Sequence, residues 1–470
     1  MPLLLRLALL PIVALFCFYP AVAPVGAAED VLALMHKYRV KPENVGVWIQ
    51  RAGDDAPMVA HNGDLPLNPA SVIKLITGWA AINKHGGRHL FRTGFRYTGA
   101  IQKGELNGDL YFVGGGDPHI TVDNFLHLLN QLRDLGVQKI NGDLIIDGGY
   151  FDVPPHDPFV FDGAGRQPYN AGAFAAGVNF QSQKVVVASG GKGVRVYTSP
   201  PNDNFVVRTA LKTARRKCRW PGAAREHYSG DGKSDSALTL TLKGAFGRRC
   251  KVQFTVHPQN PAAHAAGVWS ALWRRLGGEW NGKWRRGKTP PQTKPLAAMW
   301  SLRVPQLVYA MNKHSNNLIA RHLFLSVGEG PPFDLPSARA EMMRQLSAAG
   351  VDTRGWNIDN GSGLSRKTRI TARGMGGVLA DVWQNPMRAE VIASLPILGV
   401  DGALRRRLAQ KPYRRNGHLK TGGLKNVRAL AGFLRGANGG ELFFVSIVNQ
   451  RGGAVRDFEH ALIKWAHSRG

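Results

Sequence analysis

Ser71 and Lys74 are a polar pair inside an otherwise apolar segment that is predicted to form a helix. Pro69 suits the first turn of that helix, and Gly86-Gly87 suits its end. The apolar side chains of residues 71–82 fall on every face, which is typical of a buried helix. A spacing of three places Ser71 and Lys74 on one face, about one turn apart.

This pair has the residue types of a nucleophile and its base. A serine hydroxyl is a weak nucleophile and needs an adjacent proton acceptor. Lys74 could accept the proton if burial and a second cation lower its pKa from the usual value of about 10.4. The spacing alone is weak evidence, because Ser189 and Lys192 repeat it in a glycine-rich stretch that cannot form a helix.

Two further polar triplets lie downstream of this pair. Ser315-Asn316-Asn317 falls within residues 304–325, which have helical patterning. Lys420-Thr421-Gly422 falls on a predicted strand at residues 417–422. In this order, the three motifs resemble the Ser-x-x-Lys, Ser-x-Asn and Lys-Thr-Gly elements of the penicilloyl-serine transferases.

The number of residues between the first two motifs indicates which subgroup of these enzymes the chain resembles. A gap of 244 residues separates Ser71 from Ser315, which is too long for a compact β-lactamase. It is similar to the class C low-molecular-mass penicillin-binding proteins, which are D-alanyl-D-alanine carboxypeptidase/endopeptidases with extra domains between the first two motifs. Residues 114–118, 142–147 and 359–365 also resemble segments of that family.

The resemblance implies a discontinuous catalytic domain interrupted by an insertion. The catalytic domain, residues 29–90 and 295–470, would have an α/β (α+β), β-lactamase/transpeptidase-like fold with an antiparallel sheet flanked by helices. Residues 91–294 would be a β-rich insertion of one or two domains, in agreement with short β-type runs at 110–113, 144–146 and 184–187.

The C-terminal part has its own strand and helix patterns. Two strand-like runs at 429–434 and 442–448 follow the strand that carries Lys420, and the Asn438-Gly439-Gly440 segment between them predicts that they are antiparallel neighbours. Val455, Phe458, Leu462 and Trp465 then form one helical stripe, which predicts a core-packing helix, with membrane-surface attachment as the alternative.

The resemblance also implies roles for the first two motifs. Ser71 would attack the carbonyl between two D-alanines and form an acyl-enzyme that water hydrolyses. Lys74 would take the serine proton, and Ser315 would relay a proton toward the leaving amine. Asn317 would bind the amide backbone of the substrate and orient Lys74.

The third motif would hold the substrate. Lys420 would supply positive charge near Lys74 and near the terminal carboxylate, which Thr421 would hydrogen-bond within the Lys-Thr-Gly motif that Gly422 completes. The backbone N–H groups of Ser71 and Gly423 are expected to form the oxyanion hole, where each donor typically lowers the barrier by about 3 kcal/mol. The scheme requires no metal and no cofactor.

Other polar residues are assigned non-catalytic roles. His85 and His89 have metal-like spacing, but Gly86-Gly87 lies between them and no Glu follows His85, which favours a solvated loop over a zinc site. Ser362 and Ser365 lack a base at helical spacing and are given structural or rim roles. Relatives often carry an acidic residue near residues 167–171 that reads the diamino acid of the stem peptide, and Ala171 is assigned to that place here.

The composition is that of a globular protein with a strongly basic surface. The chain has 470 residues, 44% of them hydrophobic and 20% charged, which excludes disorder, collagen and a disulfide mini-scaffold. Lys and Arg number 61 against 32 Asp and Glu, a net charge of +29. That excess would suggest nucleic acid for a cytosolic chain, so its meaning depends on the compartment.

Residues 1–28 are predicted to be a secretory signal. Arg6 precedes an apolar run at 7–18, and small residues follow at 26–28. The run is shorter than the ~20 residues of a spanning helix, although an uncleaved membrane anchor is the alternative. We therefore predict secretion to the periplasm or cell envelope, no nucleic-acid partner and peripheral or no membrane association, and we leave a homodimer open. The basic surface is interpreted as a means of staying near anionic wall material.

Two cysteines remain outside the predicted signal, which contains Cys17. Cys218 and Cys250 are an even pair in an oxidising compartment, which predicts a disulfide, with two free thiols as the alternative.

The predicted function is therefore that of a serine D-alanyl-D-alanine carboxypeptidase/endopeptidase. Its partners would be peptidoglycan stem peptides, with β-lactams as covalent inhibitors. A serine β-lactamase is one alternative, but the chain has no convincing Glu-x-x-x-Asn element for deacylation and the insertion is too long. A non-catalytic peptidoglycan-binding protein is the other, and it would require all three motifs to be relics.

Overall fold

The computed structural model describes residues 25–191, 193–215, 217–218, 224–229 and 237–470. Most of the predicted signal lies outside the described residues, and residues 25–28 form the first turn of a helix. The helices are α1 (Val25–Lys37), α2 (Ile73–His85), α3 (Val122–Asp134), α4 (Pro261–Arg275), α5 (Val304–His314), α6 (Asn317–Ser326), α7 (Leu335–Ala348), α8 (Ala372–Gln384), α9 (Arg388–Ser394) and α10 (Val455–Arg469).

The strands of the described residues range from two to ten residues in length. They are β1 (Val45–Arg51), β2 (Val59–His61), β3 (Arg92–Tyr97), β4 (Ala100–Gln102), β5 (Glu105–Asn107), β6 (Leu110–Val113), β7 (Lys139–Ile140), β8 (Leu144–Asp147), β9 (Gln183–Gly190), β10 (Gly193–Ser199), β11 (Phe205–Ala214), β12 (Ala224–Ser229), β13 (Leu238–Gly247), β14 (Lys251–Val256), β15 (Glu279–Trp280), β16 (Trp284–Arg286), β17 (Lys294–Trp300), β18 (Gly417–Leu424), β19 (Val427–Arg435) and β20 (Glu441–Val448). None of the helices in the described part of the chain is both long and apolar enough to cross a membrane.

The central sheet joins the two ends of the chain. Its order is β18-β19-β20-β1-β2, and every neighbouring pair is antiparallel. The runs predicted as antiparallel neighbours are β19 and β20, which do pair in that way, and β1 from the N-terminal part lies beside β20. Strand β18 lies at the end of this order, so the strand with the Lys-Thr-Gly motif is an edge strand.

Helices cover both faces of this sheet. Successive side chains of a strand point to opposite faces. Ala431 and Phe433 of β19 therefore pack in one hydrophobic cluster with α2, α5, α6 and α8, whereas Leu430 and Leu434 pack in a second cluster with α1 and α10. Phe458 and Leu462 are fully buried in that second cluster. The C-terminal helix is thus a core-packing helix, as predicted.

The inserted region has two hydrophobic cores of its own. One core joins α3 and α4 to the sheets β16-β8-β6-β3-β17 and β15-β7-β5-β4. The other lies between the sheets β10-β9-β14 and β11-β13-β12. The description of this region as β-rich was incomplete, because α3 and α4 lie within it. Their signals, the capping box of Thr121 with Asn124 and the Asn260-Pro261 start, were hidden among the short strand runs.

The predicted C-terminal boundary of the insertion was wrong by several residues. Strand β17 was assigned to the catalytic domain, but it pairs with β3 of the insertion from Lys294 to Trp300. Its partner strand lies about 200 positions earlier in the chain, so the local sequence could not show this pairing.

Three asparagine-glycine turns stack in the insertion. Asn107, Asn141 and Asn281 precede β6, β8 and β16, which run parallel as neighbours. The Nδ2 atom of Asn141 donates to Oδ1 of Asn107 at 2.9 Å, and Asn281 continues the row to Asn141 at 3.4 Å. A Cβ at Gly282 would lie 2.0 Å from the carbonyl oxygen of Gly142, so only glycine permits this stacking.

The structure joins Cys218 to Cys250 by a disulfide, with 5.3 Å between the two Cα atoms. We predict that a chain beginning at Glu29, denatured without reductant, shows no titratable thiol. Closing a loop with a sequence separation of 32 should stabilise the fold by about 3–4 kcal/mol in the chain-entropy model. A Cys218→Ala/Cys250→Ala variant should therefore unfold at lower denaturant concentration. Two titratable thiols in the unreduced protein would contradict the pairing.

Candidate active site

Ser71 lies in a tight turn that leads into α2. Residues Ala70–Val72 form a 3₁₀ turn, and Ala70 has a positive φ of 45°. Asn68 holds the turn, because its Oδ1 accepts from the Ala70 N–H at 2.9 Å and its Nδ2 donates to the Ser365 carbonyl at 2.9 Å. Ser71 is partly exposed at this turn, whereas Lys74 in the first turn of α2 is fully buried.

Lys74 contacts the serine and two further groups. Its Nζ lies 2.9 Å from Ser71 Oγ and 2.7 Å from Asn317 Oδ1, and it also hydrogen-bonds the Ser362 carbonyl oxygen. Burial lowers the pKa of Lys74 well below its ordinary value, and the charges of Lys420 and Arg321 lower it further. Asn317, which was predicted to orient Lys74, thus accepts a hydrogen bond from its Nζ. The predicted structural role of Ser362 is fulfilled by its carbonyl group.

The second motif is not inside one helix, as predicted, but between two. Helix α5 ends at His314, and Ser315 adopts a left-handed conformation with φ 53° and ψ 38°. The side chain of Asn316 then caps α6 by accepting from the Ile319 N–H at 3.0 Å. At this break, the side chain of Ser315 contacts Lys420 and the side chain of Asn317 contacts Lys74. Helical patterning on both sides hid the break, because asparagine and serine carry no apolar signal.

The third motif reaches this site from the edge strand. Lys420 is fully buried, and its Nζ donates to Ser315 Oγ at 3.0 Å and to the Thr421 carbonyl at 2.9 Å. Burial lowers the pKa of Lys420 to about 7. The fold therefore brings Ser71, Lys74, Ser315, Asn317 and Lys420 into one connected cluster.

Two glycines allow the chain to approach the serine turn closely. A Cβ at Gly422 would lie 2.4 Å from the Pro69 carbonyl oxygen, so β18 can pack against this turn only with glycine there. A Cβ at Gly363, which has φ 78°, would lie 2.0 Å from the Ala70 carbonyl oxygen. Gly423 follows on the same strand and is exposed, and Thr421 is partly exposed. Thr421, which was predicted to hydrogen-bond the carboxylate, and Gly423, which was predicted for the oxyanion hole, are thus accessible to solvent on β18.

Arg321 is a buried residue that the sequence analysis missed. It lies on α6, four positions after Asn317, and its guanidinium donates to the Ala171 carbonyl oxygen. Burial lowers the pKa of Arg321 to about 10, and its charge contributes to the lowered pKa of Lys74. The spacing of four from Asn317 on a helix was the available signal.

The segment around Ala171 has an acidic side chain after all. Ala171 is fully buried, whereas Asp162 accepts from Tyr169 Oη at 2.8 Å and from Asn170 Nδ2 at 2.9 Å. The Tyr169 carbonyl oxygen in turn accepts from Asn317 Nδ2 at 3.0 Å. Asp162 is therefore tied to the catalytic asparagine through a short chain of contacts, nine positions before the residue considered in the sequence.

The remaining candidates lie outside this cluster. Ser189 is on β9 of the insertion and its Oγ donates to the Gly247 carbonyl at 2.5 Å, while Lys192 lies outside the described residues. His85 and His89 stack at 4.3 Å and are half-buried, so the prediction of a solvated loop was wrong. Among the residues that the structure describes, no group of three or more His, Cys, Asp or Glu side chains could hold a metal ion.

Residues 27–469 match the D-Ala-D-Ala carboxypeptidase 3 (S13) family. The chain is 29% identical over 423 residues to the D-alanyl-D-alanine carboxypeptidase DacB of Haemophilus influenzae, which covers 86% of this chain and 85% of the relative.

Solved structures give the same result. The crystal structure of penicillin-binding protein 4 (dacB) from Haemophilus influenzae superposes with a TM-score of 0.79 and 26% identity, over 93% of this chain and 99% of that one. The same protein complexed with a novel β-lactam superposes with a TM-score of 0.73 and 26% identity, over 94% and 98%. The predicted class C penicillin-binding protein resemblance and fold class are thereby confirmed. With three motifs in one cluster and a match along nearly its whole length, the chain belongs to the D-Ala-D-Ala carboxypeptidase 3 (S13) family.

Proposed function

We propose that this protein hydrolyses D-alanyl-D-alanine ends and cross-links of peptidoglycan stem peptides through an acyl-enzyme on Ser71. The observation that carries the proposal is the 2.9 Å contact between Ser71 Oγ and the buried Nζ of Lys74. Burial and the neighbouring charges of Lys420 and Arg321 hold the pKa of Lys74 well below its ordinary value, so its amine gives up its proton more readily and can act as a base. Membership of the carboxypeptidase family supports the same chemistry.

Acylation begins with a proton transfer from Ser71 to neutral Lys74. The serine Oγ forms a bond to the substrate carbonyl carbon, and the bond from that carbon to the leaving nitrogen breaks. The proton that Lys74 accepted passes by way of Ser315, whose Oγ accepts from Lys420 Nζ at 3.0 Å, to the leaving amine, which leaves Lys74 neutral again. Water then hydrolyses the ester, releasing a carboxylic acid and returning the hydroxyl to Ser71.

The substrate is held on the exposed end of β18. Lys420 provides positive charge for the terminal carboxylate, and Thr421 is the hydrogen-bond donor beside it. The N–H groups of Ser71 and Gly423 are proposed as the oxyanion hole, because β18 packs against the serine turn at Gly422.

The location and inhibitors follow from the same reasoning. We place the protein in the periplasm or cell envelope because of the predicted signal, and β-lactams should acylate Ser71 because they present a reactive carbonyl to the same nucleophile. The relative that was solved with a β-lactam supports this part of the proposal.

We predict that a fluorescent penicillin labels the protein covalently and that Ser71→Ala abolishes the label. Loss of the nucleophile should also lower peptide hydrolysis by at least about 10⁴-fold. Ser189→Ala is the matched control, because Ser189 has the same spacing to a lysine but lies on a strand of the insertion. Label retained on Ser71→Ala would refute the nucleophile assignment.

The reaction with a chromogenic cephalosporin distinguishes a peptidase from a β-lactamase. We expect a burst of one equivalent followed by slow turnover, because no dedicated deacylating base was found in the sequence. Stopped-flow absorbance gives both phases. Fast steady hydrolysis without a burst would favour the β-lactamase alternative.

The pH dependence of acylation tests the two lysines. The second-order rate constant should rise as Lys74 loses its proton, at a pH well below 10, and should fall as Lys420 loses its proton above about 7. Lys420→Met should remove the alkaline limb. It should also move the acid limb to higher pH, because a neighbouring cation no longer lowers the pKa of Lys74. A single limb rising near pH 10 would contradict the assignment of Lys74 as base.

A further inference from the structure

The two cysteines of the disulfide are surrounded by basic residues in the sequence. Residues 215–219 read Arg-Arg-Lys-Cys-Arg, and residues 248–251 read Arg-Arg-Cys-Lys. The disulfide between Cys218 and Cys250 holds these two basic segments next to each other. Because like charges repel, the covalent bond keeps together cations that would otherwise separate.

These segments lie at one end of the paired sheets β10-β9-β14 and β11-β13-β12, and helix α4 contacts the other end. Asn204 precedes β11, and its Nδ2 donates to the Ala263 carbonyl of α4 at 2.8 Å. Strand β11 then runs parallel to β13 for ten residues, about 30 Å, as far as Ala214 and Gly247. Just beyond, the Arg248 N–H donates to the Ala214 carbonyl at 3.2 Å. We call the described residues of this end the basic tip, namely Arg215, Lys217, Cys218 and 248–251.

The cationic side chains of the basic tip are exposed to solvent. They are Arg215, Lys217, Arg248, Arg249 and Lys251. Within the described part of the chain, no side-chain hydrogen bond or ion pair joins any of them to another residue. The neighbouring sequence supplies no counter-charge, because no acidic residue occurs in residues 204–225 or 236–278. The tip is therefore a patch of positive charge that attracts anions.

The tip has the properties of a surface for a carboxylate-bearing polymer rather than for a membrane. Guanidinium groups bind carboxylates through two parallel hydrogen bonds. Attachment to a membrane surface generally combines cations with exposed apolar side chains. Among the described residues, none of the exposed large apolar side chains lies within residues 214–218 or 247–251. Peptidoglycan, the polymer of the proposed substrate, carries free carboxylates on its stem peptides at regular intervals.

We propose that the basic tip binds carboxylates of peptidoglycan stem peptides that are not being cleaved, and so holds the enzyme on the wall polymer while the active site acts. This inference rests on the proposed function for the identity of the polymer, and it assigns part of the basic surface a place on the insertion. Two contacts with one polymer, at the tip and at the active site, raise the local concentration of cleavable peptides. The tip should therefore matter for insoluble wall and not for short soluble peptides.

The first measurement is co-sedimentation with purified sacculi, in a Ser71→Ala background so that the wall is not digested. Arg248→Gln/Arg249→Gln/Lys251→Gln removes three charges of the tip. We expect this change to raise the apparent Kd for sacculi by about five- to twentyfold, because three ion pairs are lost. Higher ionic strength should weaken the binding of the parent protein in the same direction. Amidation of the free carboxylates of the sacculi should weaken it as well.

The matched control is Arg88→Gln/Arg275→Gln/Lys283→Gln, which removes two arginines and one lysine from exposed positions outside the tip. This variant should bind sacculi as its parent does. With Ser71 restored, both variants should label with penicillin, and the tip variant should show no titratable thiol without reductant, so that fold and disulfide are intact. Its hydrolysis of a soluble pentapeptide should be unchanged, whereas its release of peptide from sacculi should slow.

Three outcomes would overturn the proposal. Unchanged binding of the tip variant to sacculi is the first. Equal loss in the control variant is the second, because binding would then depend on the total charge of the protein. The third is loss of binding to phosphatidylglycerol vesicles with unchanged binding to sacculi, which would make the tip a membrane contact.

The proposed function is judged separately, because sacculus binding is measured without catalysis. A protein that bound sacculi through the tip but cleaved no peptide would remove the enzymatic function and support the tip assignment. A protein that cleaved soluble peptides but bound sacculi equally well without the tip charges would remove only the tip assignment.

Discussion

Two lysines buried side by side are the constraint on which the rest of this structure depends. Lys74 and Lys420 are both fully buried. Because burial disfavours the charged ammonium form, it lowers the pKa of both side chains. Their hydrogen-bond partners in the described residues are hydroxyl, amide and carbonyl oxygens, with no carboxylate among them. A carboxylate partner would stabilise the ammonium form and raise the pKa of Lys74. With no carboxylate among these partners, the lowered pKa of Lys74 is consistent with its proposed role as base.

The surrounding fold serves to hold this arrangement. Helix α2 carries Lys74 within a hydrophobic cluster, and the break between α5 and α6 turns Ser315 and Asn317 inward. Strand β18 approaches the serine turn as closely as glycine allows. A buried amine needs hydrogen-bond partners. Lys74 finds them at Ser71 and Asn317, and Lys420 finds one at Ser315, so these hydrogen bonds link α2, the α5–α6 break and β18. The rigidity of the cluster thus comes from satisfied hydrogen bonds inside a packed core.

The insertion lies outside this constraint. It has two hydrophobic cores and a row of hydrogen-bonded asparagines of its own, so its packing does not depend on the two buried lysines.

The residue types proposed for catalysis and part of the central sheet could be predicted from local patterns in the chain. Ser71, Lys74, Ser315, Asn317 and Lys420 were identified by spacing and order, and the C-terminal strands by their apolar runs. Local patterns could do this because motifs, strand runs and helix stripes are properties of neighbouring residues.

Other features of the site and the fold could not be predicted from local sequence, because each depends on contacts between residues that are far apart in the chain. The left-handed break at Ser315, the pairing of β17 with β3 and the burial of Arg321 beside Ala171 have no local signal of sufficient strength. The Ser362 carbonyl was invisible for a different reason, since any residue type could supply a backbone oxygen there. The pKa of Lys74 belongs to the same class, because desolvation and a neighbouring cation exist only after the fold has assembled three distant segments.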